Sequence, residues 1–278
     1  MLELETGGVD IAHLGRSDIA RVENHPDLNL YLESNYQKLY FGINTERVAD
    51  LRIRQAINYA INTAEIHQTI MYGVGDLLTG PLNETVFGAI GNINRFPFDK
   101  ERALELLAEA CYGPDNRLAL TMLVQDIPER GEWAVVAQAH LAQIGIDLSI
   151  SVTEQATFLS ETAAGNYDMF VLAWTAVTAD ADYGLFPLFH SSSIGAPGNR
   201  TFFNNPEVDR LLELARASFD PEVRLQAYHD AQMIIVEESP MVFIATGVVL
   251  MGARNNIGGL RLLPDNHTLY YEVYFTND

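Results

Sequence analysis

The feature that most constrains the fold of this chain is an almost wholly apolar segment, YDMFVLAW, at residues 167–174. A strictly alternating segment, IDLSISV, occupies residues 146–152, and a predicted short helix at 157–164 lies between the two. Apolar strands that are separated by helices are typical of a buried sheet with helices packed against it. The sequence therefore predicts an α/β layer architecture.

Helices are marked by capping residues that precede segments with helical apolar spacing. The predicted caps are Asp50, Asp99, Asn205 and Asp220, and the last two stand before a proline that suits the first helical turn. The helix after Asp220 is predicted to end near Glu238, because Ser239-Pro240 follows it. The other predicted elements are helices at 130–144 and 157–164, strands at 27–33, 36–44 and 118–124, one or two strands at 241–253, and a long loop at 73–98.

Composition excludes several classes of function. The chain has 278 residues, of which 48% are hydrophobic and 19% charged, as in globular proteins. Seventeen Lys and Arg against thirty-seven Asp and Glu give a net charge of −20, which argues against binding to nucleic acid or to anionic lipid surfaces. A single Cys rules out an internal disulfide and a Cys-based metal cluster. The longest apolar run, at 241–253, is shorter than the roughly 20 residues that span a bilayer.

Motifs for catalysis or cofactor binding are absent from the sequence. The seven histidines are scattered without the i, i+4 spacing of a helical zinc site. Nucleophile-elbow, P-loop and dinucleotide-binding motifs do not occur. Asp180 and Asp182 could form a carboxylate pair, although acids in a polar loop more often make a turn or a helix cap. We therefore expect no enzyme activity, no metal and no cofactor.

Five segments, in order, resemble the family 5 extracellular solute-binding proteins, the dipeptide and oligopeptide receptors of ABC importers. The most specific is DLRIRQAINYAIN at 50–62, which is similar to the signature helix of that family. The others are FDKERALELLAEA at 98–110, YDMFVLAW at 167–174 with DAD at 180–182 and LFH at 188–190, NNPEVDRLL at 204–212, and Arg224 to Gln232 with ESP at 238–240.

The resemblance implies a periplasmic-binding-protein-like lobe (type II, cluster C) with a mixed sheet flanked by helices. Members of the family are about twice as long, with a signal or lipoprotein peptide and two lobes around a ligand cleft. The chain would then be a C-terminal portion of a receptor. Residues 1–45 would be the end of lobe I and a crossover strand, 46–245 lobe II, and 246–278 the return crossover and lobe I tail.

The resemblance also suggests ligand-binding residues. In peptide receptors of the family, an Asp three residues after the strand-end Trp pairs with the α-ammonium of the ligand, and here Val177 holds that position. Asp180 or Asp182 would have to substitute for it, and Arg130 is the nearest candidate for a carboxylate-binding Arg. The predicted ligand-binding set is Trp174, Thr175, Asp180, Asp182, Arg130, Asn199 and Arg200, of which Asn199 and Arg200 would line the rim of the cleft or end a solvated loop.

The resemblance predicts a monomeric solute receptor that binds a small peptide and delivers it to ABC permease subunits. The receptor would work in the periplasm or outside the cell, anchored to the membrane. Because Val177 cannot form an ion pair, oligosaccharides, opine-like solutes or peptides with modified termini are alternative ligands. Two other classes are a glycoside hydrolase-like enzyme that uses Asp180 and Asp182, and a standalone regulatory or interaction domain. We expect this chain alone to bind ligand weakly or not at all, because the cleft lies between two lobes.

Overall fold

The computed structural model describes residues 1–91, 93, 95–196 and 198–276. Its α-helices are α1 (Leu2–Thr6), α2 (Ile19–Glu23), α3 (Leu51–Ala60), α4 (Thr63–Thr69), α5 (Lys100–Glu109), α6 (Pro128–Ala142), α7 (Gln155–Ala164), α8 (Ala181–Phe189), α9 (Pro206–Ala217) and α10 (Pro221–Glu238). Its strands are β1 (Ile11–His13), β2 (Leu28–Ile43), β3 (Leu118–Gln125), β4 (Ile146–Thr153), β5 (Met169–Thr175), β6 (Met241–Arg254), β7 (Ile257–Gly258), β8 (Arg261–Leu262), β9 (Thr268–Leu269) and β10 (Tyr274–Phe275). Short 3-10 helices lie at Arg16–Asp18 and Ser191–Ser193. No helix within the described ranges is long and apolar enough to cross a membrane.

Strands β1 to β6 form one six-stranded sheet in the order β1-β6-β2-β5-β3-β4. The strand β3 is parallel to β4 and β5, whereas β2 is antiparallel to both β5 and β6. Two short antiparallel pairs, β7 with β10 and β8 with β9, lie outside this sheet. The predicted α/β architecture with a mixed sheet is confirmed.

The predicted helix starts are confirmed by hydrogen bonds from first-turn backbone N–H groups to the side chains of Asp50, Asp99, Asn205 and Asp220. The helix α10 ends at Glu238, as predicted, and Ser239 after it has a left-handed φ of 53°. Cys111, the exposed free cysteine after α5, also has a left-handed φ, of 67°. The local signals for helix ends therefore matched the structure.

Three parts of the sequence fold differently from the prediction. The two extended segments predicted at 27–33 and 36–44 are one strand, β2, because a register shift after Ser34 interrupts the alternation of its side chains. Helix α4 was not predicted, since its seven residues carry too short a pattern. Helix α8 was read as a polar loop, because it contains Gly184 and Pro187, which disfavour helix.

Buried apolar side chains form two large clusters, one on each face of the sheet. Phe41 of β2 belongs to the first and Tyr40 to the second, because successive side chains of a strand point to opposite faces. Helices α3 to α6 contribute to the first cluster, and α7 to α10 to the second. The buried members of both clusters lie between residues 39 and 245, whereas two small clusters outside that range contain Leu4, Val22 and Leu28, and Ala253, Ile257 and Leu260.

Strands β2 and β6 connect the large clusters to the small ones. Their antiparallel pairing extends from Leu28 opposite Arg254 to Gly42 opposite Met241, and its register shifts between Ser34 and Lys38. Gly247 lies beside the shift, and a Cβ atom there would be 2.6 Å from the side-chain oxygens of both Asn35 and Gln37. Only glycine fits this close approach without displacing a neighbour.

Lys38 follows the register shift and is buried among backbone carbonyls. Its Nζ donates hydrogen bonds of 2.7 Å to the carbonyl oxygens of Pro81 and Gly184, and it lies 5.4 Å from the ring centroid of Phe189. No ion pair joins Lys38 to a carboxylate of the described residues. Burial therefore lowers the pKa of Lys38 well below its usual value of 10.5.

We expect Lys38→Met to change how stability depends on pH. Because the pKa of Lys38 is lower in the folded state than in the unfolded state, the cost of burying its charge is full below the folded-state pKa and disappears as the pH rises to 10.5. The wild type should therefore gain stability relative to the variant as the pH rises toward about 10, as measured by urea unfolding. Lys100→Met is the control, since the Lys100 ammonium is exposed and bonded to Gln143. A pH-independent difference for Lys38→Met would contradict this account.

Candidate ligand-binding site

The parallel strands β3, β4 and β5 end at one edge of the sheet, at Gln125, Thr153 and Thr175. The register shift of β2 reaches the same edge, because Gln37 pairs with Thr175. In open α/β sheets, ligands bind outside the carboxyl ends of the strands. This edge is therefore the candidate site.

Trp174 lies at the edge beside an aromatic partner from α8. Its ring centroid is 5.5 Å from that of Tyr183, at an interplanar angle of 34°, and its indole N–H donates a 2.9 Å hydrogen bond to the carbonyl oxygen of Tyr183. Trp174 is partly buried, and Tyr183 is 39% exposed. Trp174 also packs against the second large cluster, so its ring is partly part of the core, and Tyr183 is the more exposed of the two rings.

Thr175 and Val177 continue the edge beyond Trp174. The hydroxyl of Thr175 accepts a 3.2 Å hydrogen bond from the side-chain amide of Gln37, and the N–H of Ala176 donates to the carbonyl of Tyr36 at 3.1 Å. Val177 is 49% exposed. This part of the site therefore offers a hydroxyl, an amide and an apolar side chain, but no charge.

The carboxylates of Asp180 and Asp182 lie at the start of α8 and are both ion-paired. Asp180 caps the helix through the N–H of Asp182 and accepts bonds of 2.8 Å from Arg224. Asp182 accepts bonds of 2.9 and 3.0 Å from Arg216. A helix cap was the alternative to a carboxylate pair at these positions, and Asp180 forms such a cap. Asp180 and Asp182 are each ion-paired with a different arginine.

Arg130 lies in the first turn of α6, which begins at Pro128, two residues earlier than predicted. Its guanidinium donates to the side-chain oxygen of Gln125 at the end of β3. Burial lowers the pKa of Arg130, and the opposing influence of Tyr40 and of the Glu129 carboxylate offsets only part of that effect.

Asn199 and Arg200 are buried, so the expectation of a solvated loop end is wrong, whereas their position at the rim of the cleft stays a prediction. Asn199 is fully buried, and its amide donates to the carbonyls of His190 and Phe203. Arg200 donates to the carbonyl of Leu159 at 2.7 Å and to the hydroxyl of Thr162 at 2.6 Å. The side chains of both residues therefore already have hydrogen-bond partners within the chain. Contact of either residue with a ligand stays a prediction.

A cavity of about 540 Å³ opens beside α6, between the N-terminal segment and the first turn of that helix. Five parts of the chain line it, namely residues 13–17, Ile70 with Tyr72, Pro128 with Glu129 and Glu132, residues 248–250, and Asn266. Arg16 from the N-terminal segment forms an ion pair with Glu129 of α6 across it. Sequence reasoning missed these residues, because no motif or periodicity links segments so far apart. In the part of the chain that the structure describes, no group of three or more His, Cys, Asp or Glu side chains is arranged to hold a metal.

The family model described as bacterial extracellular solute-binding proteins, family 5 Middle, matches residues 1–196. This match covers more than half of the chain, so the chain belongs to that family, and the resemblance noted in the sequence is confirmed. The family consists of binding proteins, which confirms the expectation that the chain is not an enzyme. The hydrolase alternative for Asp180 and Asp182 is therefore wrong.

Individual relatives differ in the ligands that they are named for. The chain is 28% identical over 264 residues to heme-binding protein A of Haemophilus influenzae, covering 92% of this chain and 48% of that protein. It is 29% identical over 251 residues to di/tripeptide-binding protein 2 of Pseudomonas aeruginosa, covering 89% and 47%. The structure of a dipeptide binding protein from Pseudoalteromonas sp. SM9913 in complex with Met-Leu superposes with a TM-score of 0.88 at 27% identity, covering 99% of this chain and 55% of that one. The chain thus spans about half the length of the relatives that it matches.

We expect two substitutions of Asp180 to distinguish its two contributions to stability, the cap of α8 and the ion pair with Arg224. Asp180→Asn keeps a side-chain oxygen that can cap α8 but loses the charge that pairs with Arg224, whereas Asp180→Ala loses both. In chemical denaturation, Asp180→Asn should lower the free energy of unfolding by up to about 1 kcal/mol, and Asp180→Ala by about 1 kcal/mol more.

Asp220 is the matched control, because it caps α10 without an ion pair in the described structure. Asp220→Asn should leave stability almost unchanged, and Asp220→Ala should show only the loss of the cap. Equal stability of Asp180→Asn and the wild type would mean that the Arg224 ion pair contributes nothing to the fold.

Proposed function

We propose that this chain forms one lobe and the crossover segments of a solute receptor for an ABC importer. The observation that carries the proposal is the path of β2 and β6, which leave the large clusters together and change register at the edge where Trp174 lies. Membership of the family supports it. The solute would be held at this edge and enclosed by a second lobe.

The proposed division of the chain is lobe I and a crossover strand at 1–45, lobe II at 46–245, and the return crossover with the lobe I tail at 246–278. The distribution of buried apolar side chains supports it. Both large clusters draw their buried members from 39–245, and the small clusters draw theirs from residues 4–28 and 253–260. Under this division the chain would be a C-terminal portion of a receptor.

The proposed ligand is a small peptide, with an oligosaccharide or an opine-like solute as alternatives within the same family. The open ring surface of Trp174 and Tyr183 would pack against an apolar part of the solute. The exposed Val177 and the ion-paired Asp180 favour a solute that does not need a carboxylate at this point. The proposed contacts are Trp174, Thr175, Asp180, Asp182, Arg130, Asn199 and Arg200, of which the first five are partly exposed and the last two are buried.

The proposed mechanism is closure of two lobes around the solute, without bond chemistry. The register shift between Ser34 and Lys38 would act as a hinge, because the β2–β6 ladder is interrupted there. The ion pair of Arg16 with Glu129 would hold the closed arrangement, since it joins the N-terminal segment to α6.

The closed receptor would dock on ABC permease subunits as a monomer, in the periplasm or outside the cell and anchored to the membrane.

We expect Trp174 to report solute binding in nuclear magnetic resonance spectra. The chain has two tryptophans, and Trp133 is buried in the first large cluster, so its indole resonance is an internal control. Titration with dipeptides should shift the Trp174 indole resonance and not that of Trp133, with a dissociation constant of about 1 mM or weaker because only one lobe contributes contacts. Sub-micromolar binding would contradict the need for a second lobe, and no response of Trp174 to any solute would remove it from the site.

We expect the Arg16–Glu129 ion pair to set the angle between the N-terminal segment and α6. Spin labels on the exposed Cys111 and on Ala20→Cys, an exposed position of α2, would measure the separation by pulsed electron paramagnetic resonance. Arg16→Ala should broaden and lengthen the distance distribution, because the ion pair across the cavity is lost. The double charge reversal of Arg16→Glu with Glu129→Arg should restore it.

The matched control for this measurement is Arg21→Ala. Arg21 pairs with Glu5 inside the N-terminal segment, so its loss should leave the distance unchanged. A distribution that Arg16→Ala does not alter would show that the two parts are held together by β2 and β6 alone.

A further inference from the structure

The cavity beside α6 has a mixed lining whose charges are not balanced. Its apolar part consists mainly of Leu14, Ile70 and the β6 residues Val248 to Leu250. Its charged side chains are Arg16, Glu129 and Glu132, and the lining also contains the imidazole of His13, which is counted as neutral here. Since α6 follows the end of β3, this cavity borders the same edge of the sheet as Trp174.

Pairing within the lining leaves one carboxylate available. The guanidinium of Arg16 donates to Glu129, so these two charges neutralise each other. Glu132 lies one turn further along α6 and is exposed. Among the lining residues, all of which the structure describes, Glu132 is the one acid without a hydrogen-bond or ion-pair partner. The cavity therefore carries a net charge of about −1 at neutral pH.

Tyr72 gives the cavity an aromatic wall. Its side chain is 58% exposed, although it lines the cavity, and its φ of 56° lies in the left-handed region. The turn after α4 holds this backbone through hydrogen bonds from Gly73 to His67 at 2.9 Å and from Val74 to Met71 at 3.0 Å. The face of an aromatic ring attracts a cation.

We propose that this cavity receives a positively charged group of the solute, an ammonium or a guanidinium. Glu132 supplies the opposite charge, and Tyr72 supplies a ring face for the cation. Asp180 and Asp182 do not compete for this group, because Arg224 and Arg216 already neutralise them. The inference rests on the proposed function, since it assigns a specificity pocket to the same solute receptor.

The test uses three probes with one side chain and different charges, namely leucine amide, N-acetyl-leucine amide and N-acetyl-leucine. Each is titrated into the isotope-labelled chain near pH 6.5, where the amine of leucine amide is protonated. The readout is the chemical shift of the backbone amides at residues 14–17, which line the cavity. We expect the cationic probe to bind about three- to tenfold more tightly than the neutral one, and the anionic probe to bind most weakly.

Two substitutions should change this order in different ways. Glu132→Gln should abolish the preference for leucine amide, because the unpaired charge is removed. Glu129→Gln leaves Arg16 without its partner and should raise the affinity for N-acetyl-leucine at least threefold. Glu222→Gln is the matched control, because it removes an equally exposed acid in the first turn of α10 and should leave the order unchanged.

The outcomes separate this inference from the proposed function. Suppose that dipeptides bind at Trp174 but residues 14–17 show no charge preference, or show a preference that Glu132→Gln does not remove. Either result overturns the cation pocket and does not contradict the receptor function. Charge-selective binding in the cavity with no response of Trp174 to any solute supports the pocket and contradicts the Trp174 site. Absence of binding of every probe to the cavity at tens of millimolar overturns the inference as well.

Discussion

The pairing of β2 with β6 is the interaction on which the rest of the structure depends. These strands lie about two hundred residues apart in sequence, and their ladder extends from Leu28–Arg254 to Gly42–Met241. Closing so long a loop costs conformational entropy, which burial of apolar side chains on both faces of β2 offsets. The same pair contains the register shift beside Gly247, which is the proposed hinge, so the hinge would lie within the strands that hold the fold together.

In this acidic chain, many charged side chains are paired with an opposite charge that lies next to them in space. Many exposed or half-buried arginines are matched with carboxylates, as Arg16 is with Glu129, Arg216 with Asp182 and Arg224 with Asp180, whereas Arg130 bonds to the amide oxygen of Gln125. The deeply buried Lys38 bonds to backbone carbonyls, and the buried Arg200 to a carbonyl and to the hydroxyl of Thr162. The buried Arg54 bonds to backbone carbonyls and also to the carboxylate of Glu238. Under the proposed function, the charge that a solute meets is therefore set by the groups that line its site and not by the net charge of −20.

Local signals predicted a large part of the fold. The caps, the helices α3, α5, α9 and α10, and the strands β3, β4 and β5 all follow from capping chemistry or from periodicity within one segment. Helix α8 escaped prediction because Gly184 and Pro187 oppose helix locally, and tertiary packing of Leu185 and Leu188 overrides them. At the site, the position of Trp174 at a strand end was predictable, but its contact with Tyr183 depends on that unpredicted helix.

The sequence by itself determined the α/β class, the family, the caps and the absence of an internal disulfide, because each depends on residue types and spacings within short segments. Tertiary structure alone decided which acids are free. Asp180 is neutralised by an arginine 44 residues away, and Glu129 by one 113 residues away, whereas Glu132 in the next turn of the same helix is left unpaired. The reason is that an ion pair requires two side chains to meet in space, and no local pattern records which distant segment the fold brings to them.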